Sequence, residues 1–183
     1  MSDQLQQVAA KIKIILTDVD GVFTDGSIYK GNDGLEFKRF SVLDGAGVAF
    51  AREAGMKIAI VSGRYSPATE SRAKELGLED HCYQGELNKA ALYDRLKEKY
   101  DFEDEEAVFI GDDLIDIEVM ERVGFPIAVA NAMAPVKAIA KLVTEAKGGE
   151  GAFREAVEEI LKLRGEYDTI ILSLRDKISQ SKL

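Results

Sequence analysis

Residues 12–17 (Ile-Lys-Ile-Ile-Leu-Thr), followed at once by Asp18-Val-Asp20-Gly21, set the reading of the whole chain. Four of the first six are β-branched and the run is mostly apolar, as in a strand covered on both faces. The run stops at two carboxylates and a glycine that permits a sharp turn. The same pattern recurs downstream. Residues 57–61 (KIAIV) end at Ser62, residues 107–110 (AVFI) at Gly111 and Asp112, and residues 126–130 (PIAVA) at Asn131. Helical periodicity fills the gaps over residues 45–54, 67–76, 87–100 and 114–123. In the second of these, Ser66 is expected as N-cap, Pro67 at the first position and Gly77 as the stop. Strands alternating with helices predict an α/β fold, a doubly wound parallel sheet covered on both sides. It is expected to form one domain over residues 1–183.

Two regions depart from the alternation. Residues 26–42 (GSIYKGNDGLEFKRFSV) read as a β-hairpin turning at Asn32-Asp33-Gly34, with Ile28, Leu35, Phe37 and Phe40 on its strands. Such a ribbon is marginal alone, so it is expected to pack on another element or another subunit. Residues 148–151 (Gly-Gly-Glu-Gly) read as a flexible joint before an amphipathic helix over about residues 152–163. Residues 167–183 fit either a continued helix or a frayed end.

Composition narrows the function. The 183 residues hold 24 Lys and Arg against 33 Asp and Glu, a net charge of −9. That balance disfavours nucleic acid and anionic membrane surfaces as partners. The single cysteine, Cys82, leaves no intrachain disulfide. Residues 1–10 are polar, unlike a signal peptide, and no apolar run could span a bilayer. The expectation is a soluble cytoplasmic protein.

Sites in open α/β sheets form at the carboxyl ends of the strands. Those ends carry Asp18 and Asp20, Ser62, Asp112 and Asp113, and Asn131, while Lys89 opens a later helix. Two carboxylates two residues apart beside a turn can divide labour: one attacks phosphorus, the other handles the leaving-group proton. Attack on an anionic phosphate calls for Mg²⁺. Asp18-Val-Asp-Gly also suits a plain strand-capping turn. Asp112 is a candidate cation ligand, and Asp116, one turn on, could orient the site from behind. A helix start decorated with acids reads equally well. Ser62-Gly63-Arg64 offers a hydroxyl, free N–H groups and a guanidinium to a phosphate. Lys89 can neutralise a transferring phosphoryl group. His81 and Cys82, on a short strand over residues 80–83, read as structural.

In this order, Asp18-Val-Asp20, Ser62, Lys89 and Gly111-Asp112-Asp113 resemble the four motifs of the haloacid dehalogenase phosphatases over about residues 12–155. The resemblance implies Asp18 as nucleophile forming an aspartyl-phosphate, and Asp20 as general acid and base. It implies Ser62 and Lys89 on the phosphoryl oxygens. Asp18, the Asp20 carbonyl and Asp112 would hold Mg²⁺, with Asp113 and Asp116 behind them. A narrower likeness, to the capless 3-deoxy-D-manno-octulosonate 8-phosphate phosphatases, rests on Asp18-Val-Asp-Gly-Val-Phe-Thr-Asp-Gly26, Val42-Leu-Asp-Gly45, Ser62-Gly-Arg64, Tyr83-Gln-Gly85, Gly111-Asp-Asp-Leu-Ile-Asp116 and Gly148-Gly-Glu-Gly-Ala-Phe-Arg154. It implies no cap domain and a homotetramer with a central barrel of hairpins and active sites walled by neighbouring subunits. It also implies substrate contacts from Ser41, Val42, Leu43, Asp44, Gly45, Arg64 and Arg72. The glycine-rich tail would close over a neighbour's site, with Arg154 contributing. The substrate would be an acidic sugar phosphate of lipopolysaccharide sugar synthesis. Arg64 and Arg72 would make a local cationic pocket for it in an acidic chain, and Arg64 favours the eight-carbon over a nine-carbon sialic-type acid. A phospho-acceptor signalling domain shares the acid–hydroxyl–lysine–Mg²⁺ chemistry but carries its acceptor on a middle strand. Here the middle strand ends in Ser62. A non-catalytic assembly module is the remaining reading.

Overall fold

The structure is a computed structural model and describes residues 2–180. In chain order its elements are α1 (Ser2–Ala9), β1 (Ile14–Thr17), β2 (Tyr29–Lys30), β3 (Glu36–Phe37), α2 (Val42–Glu53), β4 (Lys57–Ser62), α3 (Pro67–Glu75), β5 (Cys82–Gln84), α4 (Lys89–Tyr100), β6 (Ala107–Gly111), α5 (Ile117–Met120), β7 (Phe125–Ala128), α6 (Ala134–Ile139), β8 (Leu142–Val143), α7 (Ala152–Leu163) and α8 (Tyr167–Gln180).

Six strands form one sheet in the order β5-β4-β1-β6-β7-β8, and every pairing is parallel. The apolar runs explain it: β1, β6 and β7 are buried at every residue, so helices must cover both faces. From β1 the chain steps outward through β4 to β5, then returns to the other side of β1 for β6. Right-handed crossovers then put α2 and α3 on one face and α4, α5 and α6 on the other. α7 packs on α1 and α2, and α8 on α2 and α7.

Register brings the strand ends level. Thr17 pairs with both Ile60 and Ile110, and the Asp18 N–H continues the ladder to the Ile110 carbonyl at 2.9 Å. Asp18, Ser62 and Asp112 thus leave three adjacent strands at the point where the strand order reverses, where α/β sheets build their sites.

Some expectations shift. The hairpin exists, but its antiparallel ladder is two residues per strand, around a 3₁₀ turn at Asn32–Gly34. Ile28 and Leu35 lie outside the ladder, and Phe40 bridges back to Thr24 instead. Among the described residues, the segment between β1 and α2 holds the turn after β1 and this short hairpin. The helix expected over residues 114–123 is a 3₁₀ turn, Leu114–Asp116, followed by the single turn of α5. Ser66 occupies the N-cap position of α3 but makes no capping bond; its hydroxyl goes to Glu36 at 2.8 Å. The tail is helical through Gln180, docked by Ile170 and by Ser173 and Lys177 on Glu53. The remainder of that expected tail, 181–183, lies outside the described residues. α1 and β8 were not expected, because their sequences are polar or very short.

Residues 148–151 form a packed turn in the structure. Gly148, Gly149 and Gly151 are buried, and the turn lies on this chain's own loop after β1. The Gly148 N–H donates to Asn131 Oδ1 at 2.8 Å and the Gly149 N–H to the Val22 carbonyl at 2.9 Å. A Cβ on Gly148 would stand 1.7 Å from the Gly21 carbonyl oxygen and 2.8 Å from that of Thr24. Both are backbone atoms and cannot swing aside. Gly148→Ala is therefore expected to lower stability by about 3 kcal/mol or more, a fall in Tm of roughly 6–12 °C. Calorimetry checks this; a melt unchanged within a degree would show that the turn is free to lift.

Candidate active site

The turn after β1 is built on the Val19 carbonyl, which accepts from the N–H groups of Val22, Phe23 and Thr24. Gly21 sits at φ +95°. A side chain there is excluded twice over: by that backbone and by Asp112, whose Oδ2 would lie 2.0 Å from a Cβ. The missing side chain is what lets the end of β6 approach the end of β1.

Lys89 is the centre of the site. It enters from the first turn of α4, whose cap Asn88 accepts from the Ala91 N–H at 3.0 Å. Its side chain is fully buried. The Nζ lies 2.9 Å from Asp18 Oδ1 and 2.6 Å from Asp116 Oδ1. Asp116 uses its other oxygen to accept from the N–H groups of Asp112 (3.0 Å) and Asp113 (3.2 Å). One buried carboxylate thereby fixes both the ammonium and the chain that carries Asp112. Gly111 makes room for it, since a Cβ there would come within 2.6 Å of Asp116 Oδ2.

Oxygens of Asp18, Asp112 and Asp116 lie within 4.8 Å of one another. Three acids face one ammonium, and burial together with the excess negative charge shows in the protonation of Asp112 and Asp18. Burial, then the Asp18, Asp116 and Asp113 charges, push Asp112 up to about 8. Burial raises Asp18 to about 6 against the pull of Lys89, with Asp116 adding to the rise. Burial alone would drag the Lys89 ammonium down, but Asp18 and Asp116 outweigh it and leave its pKa raised. Asp112 Oδ1 is buried without a partner. An orphaned carboxylate oxygen in an acidic, all-oxygen cluster is the donor set a hard divalent cation takes.

The other expected residues are placed as follows. Asp20 turns toward the hairpin, and Lys38 Nζ sits 2.6 Å from Oδ1 and 2.8 Å from Oδ2. Ser62 is buried at the end of β4, its hydroxyl donating to the Arg64 carbonyl at 2.9 Å and accepting from the Arg64 N–H. The Arg64 guanidinium is not free: Nη1 and Nη2 both hold Glu36, which also takes Lys30 and Ser66. Those donors, Arg64 first, hold the Glu36 carboxyl far below the usual carboxylate range. Arg72 donates to the Ser41 carbonyl at 3.2 Å and pairs with Glu75. Gly45 lies against it, a Cβ there standing 3.0 Å from Nη2. Ser41 caps α2 by accepting from the Leu43 N–H, while Val42 and Leu43 are exposed.

Three of the expected residues make contacts within the chain. Asp44 is turned into the protein interior. It is fully buried and accepts from the Arg154 N–H at 3.2 Å, closing the start of α7, and burial raises it to about 6. Arg154 lies over the Phe50 ring and holds Glu158. Asp113 turns outward and caps its own turn at the Leu114 N–H; Asp116 alone supports the cluster from behind. Lys38 and Glu36 escaped the sequence reading. Their signal was the period-2 pattern Glu36-Lys38-Phe40, whose members face inward while Phe37 and Arg39 are exposed.

Comparison with known proteins agrees with this geometry. A haloacid dehalogenase-like hydrolase model matches residues 82–154. The chain is 40% identical over 168 residues to the Escherichia coli 3-deoxy-D-manno-octulosonate 8-phosphate phosphatase, covering 92% of this chain and 89% of that protein. The Yersinia pestis protein of the same name is 42% identical over 161 residues, 88% and 86% of the two chains. Among solved structures, the Moraxella catarrhalis phosphatase in complex with magnesium, phosphate and KDO superposes with a TM-score of 0.89 at 37% identity, covering 94% and 98%. The cobalt-bound Haemophilus influenzae phosphatase follows at 0.84 and 35%, covering 89% and 95%. Likeness of this extent settles the ancestry: the chain belongs to the 3-deoxy-D-manno-octulosonate 8-phosphate phosphatase family of haloacid dehalogenase-like hydrolases.

Proposed function

We propose that the chain hydrolyses 3-deoxy-D-manno-octulosonate 8-phosphate to the free sugar acid and phosphate, in the cytoplasm, within lipopolysaccharide sugar synthesis. The observation that carries the reading is the meeting of Asp18, Asp112 and Asp116 beside the buried Lys89.

Each side chain has a task. An oxygen of Asp18 forms a bond to phosphorus as the bond from phosphorus to the sugar oxygen breaks, and Asp20 delivers the proton to that leaving oxygen. Asp20 then takes a proton from water. The water oxygen bonds to phosphorus and the Asp18 carboxylate departs, returning the enzyme. Lys89 stays fixed by Asp116 while it faces the phosphoryl charge, and Ser62 and the N–H groups of its turn hold the same oxygens. Asp18, the Asp20 carbonyl and Asp112 would hold Mg²⁺, which when bound offsets the charge of the incoming dianion. Arg64 and Arg72 meet the sugar carboxylate from the side of α2, where Ser41, Val42, Leu43 and Gly45 lie. Arg64 does so by exchanging Glu36 for substrate. Ile28, Tyr29, Leu35 and Phe37 stand exposed on the hairpin, and this supports a homotetramer built on it.

Phosphate release from the eight-carbon ester beside a sialic acid 9-phosphate, with Mg²⁺ and with chelator, tests the reading. Fast release from the eight-carbon ester that stops with chelator is expected. Preference for the nine-carbon ester would move the substrate and keep the chemistry. Release from neither would return the phospho-acceptor reading.

Metal uptake has a proton signature. A cation needs ionised ligands, yet Asp112 holds its proton up to about 8 and Asp18 up to about 6. Binding must therefore expel protons, and affinity rises with pH across that window, levelling above it. Calorimetry of Mg²⁺ binding at pH 7 in two buffers of different ionisation enthalpy should show release of up to about one proton per site. Equal heats in the two buffers would mean that Asp112 is already ionised.

A further inference from the structure

The hairpin sends one side chain to the acid–base carboxylate. Lys38 follows β3 directly, and its side chain is 0% exposed, whereas Asp20 is 26% exposed. The three hydrogens of its ammonium have three acceptors: Asp20 Oδ1 at 2.6 Å, Asp20 Oδ2 at 2.8 Å, and Thr69 Oγ1 on α3 at 3.2 Å. Thr69 is itself buried. Asp20 sits on a loop next to a glycine; the Thr24 hydroxyl stands 3.5 Å from its Oδ1, and the closer contacts to both carboxylate oxygens are those of Lys38. We propose that Lys38 is the positioning residue for Asp20: it spans both carboxylate oxygens and aims the group from which the leaving oxygen takes its proton. Because it is anchored to α3 and carried by the hairpin, it ties the acid–base group to both elements.

The inference rests on Asp20 as general acid, and the test separates the two claims. Full-length, Mg²⁺-loaded enzyme in excess is mixed with substrate, and single-turnover release of the leaving group is followed. An alkyl ester, the sugar-acid phosphate, needs a proton on its leaving oxygen. An aryl ester, p-nitrophenyl phosphate, releases a stable phenolate and needs none. Asp20→Asn should slow the alkyl ester about 10²-fold or more and the aryl ester far less. Lys38→Met should show the same selectivity, about 10²-fold on the alkyl ester and less than about threefold on the aryl. Lys38→Arg, which can also bridge a carboxylate, should recover most of the alkyl rate. Lys38→Gln is read by the same criterion if the Met variant fails to fold. If Asp20→Asn loses both esters equally, the general-acid reading fails. If Asp20→Asn discriminates and the Lys38 variants do not, the positioning role is overturned. An equal loss on both esters, or a change confined to KM, would make Lys38 a fold or phosphate contact instead and would equally overturn it.

Discussion

Asp18→Asn is expected to abolish turnover, by about 10⁴-fold or more, in a protein that folds as well as the parent. The amide keeps the shape of the side chain and cannot form the phosphoryl ester. Folding should not suffer, and the sign follows from the acid's environment. Burial and Asp116 raise the Asp18 pKa to about 6 in spite of Lys89. For an acid, a raised folded pKa means that ionisation costs stability, progressively from its unfolded value up to about 6 and constantly above. Removing the charge therefore costs no stability at neutral pH from this source, and Lys89 keeps Asp116 at 2.6 Å. Steady-state phosphate release with saturating Mg²⁺, beside a thermal melt, measures both halves. Phosphate release above about 1% of the parent rate in Asp18→Asn would remove the covalent route, because an amide in place of the nucleophile cannot form the phosphoryl ester on which that route depends.

The sheet was legible because burial on both faces leaves continuous apolar runs, and the acids, Ser62 and Asn131 mark where those runs end. What the sequence hid is set by partners far along the chain. Glu36 and Lys38 look like ordinary charges on a polar ribbon until Arg64, Asp20 and Thr69 arrive from other elements. Gly148 looks like a hinge because glycine serves both flexibility and close approach, and composition does not separate the two. Here the Gly21 carbonyl fills the space a side chain would take. Asp44 is one residue of a motif implied by resemblance, yet the first turn of α2 points it under α7, where the Arg154 N–H meets it at 3.2 Å. Asp112 and Asp113 are adjacent acids with opposite fates. The 3₁₀ turn directs one inward and makes the other its cap, a distinction fixed by the Asp116 carboxylate behind them.

Lys89→Met should be the most destabilising single change at the site as well as an inactivating one. The side chain fits a similar volume, and the loss is electrostatic: Asp18, Asp112 and Asp116 would face each other with no cation among them. Breaking a buried pair from one side costs about 3–5 kcal/mol, or roughly 6–20 °C in Tm for a chain of this length. Two dependences separate this cause from lost packing. With Lys89 present, Asp112 already holds its proton to about 8 and Asp18 to about 6. Without it these two acids bind protons more tightly still, so the metal-free deficit should grow as pH rises through about 8 and shrink toward about pH 5 as bound protons neutralise them. Saturating Mg²⁺ at pH 8 should shrink it as well, because a divalent cation among the same oxygens supplies the missing positive charge. A deficit independent of both pH and Mg²⁺ would assign Lys89 to packing against Phe109, whose ring its Nζ overlies at 5.7 Å, and would leave the three acids without the electrostatic centre that the phosphoryl-transfer scheme requires.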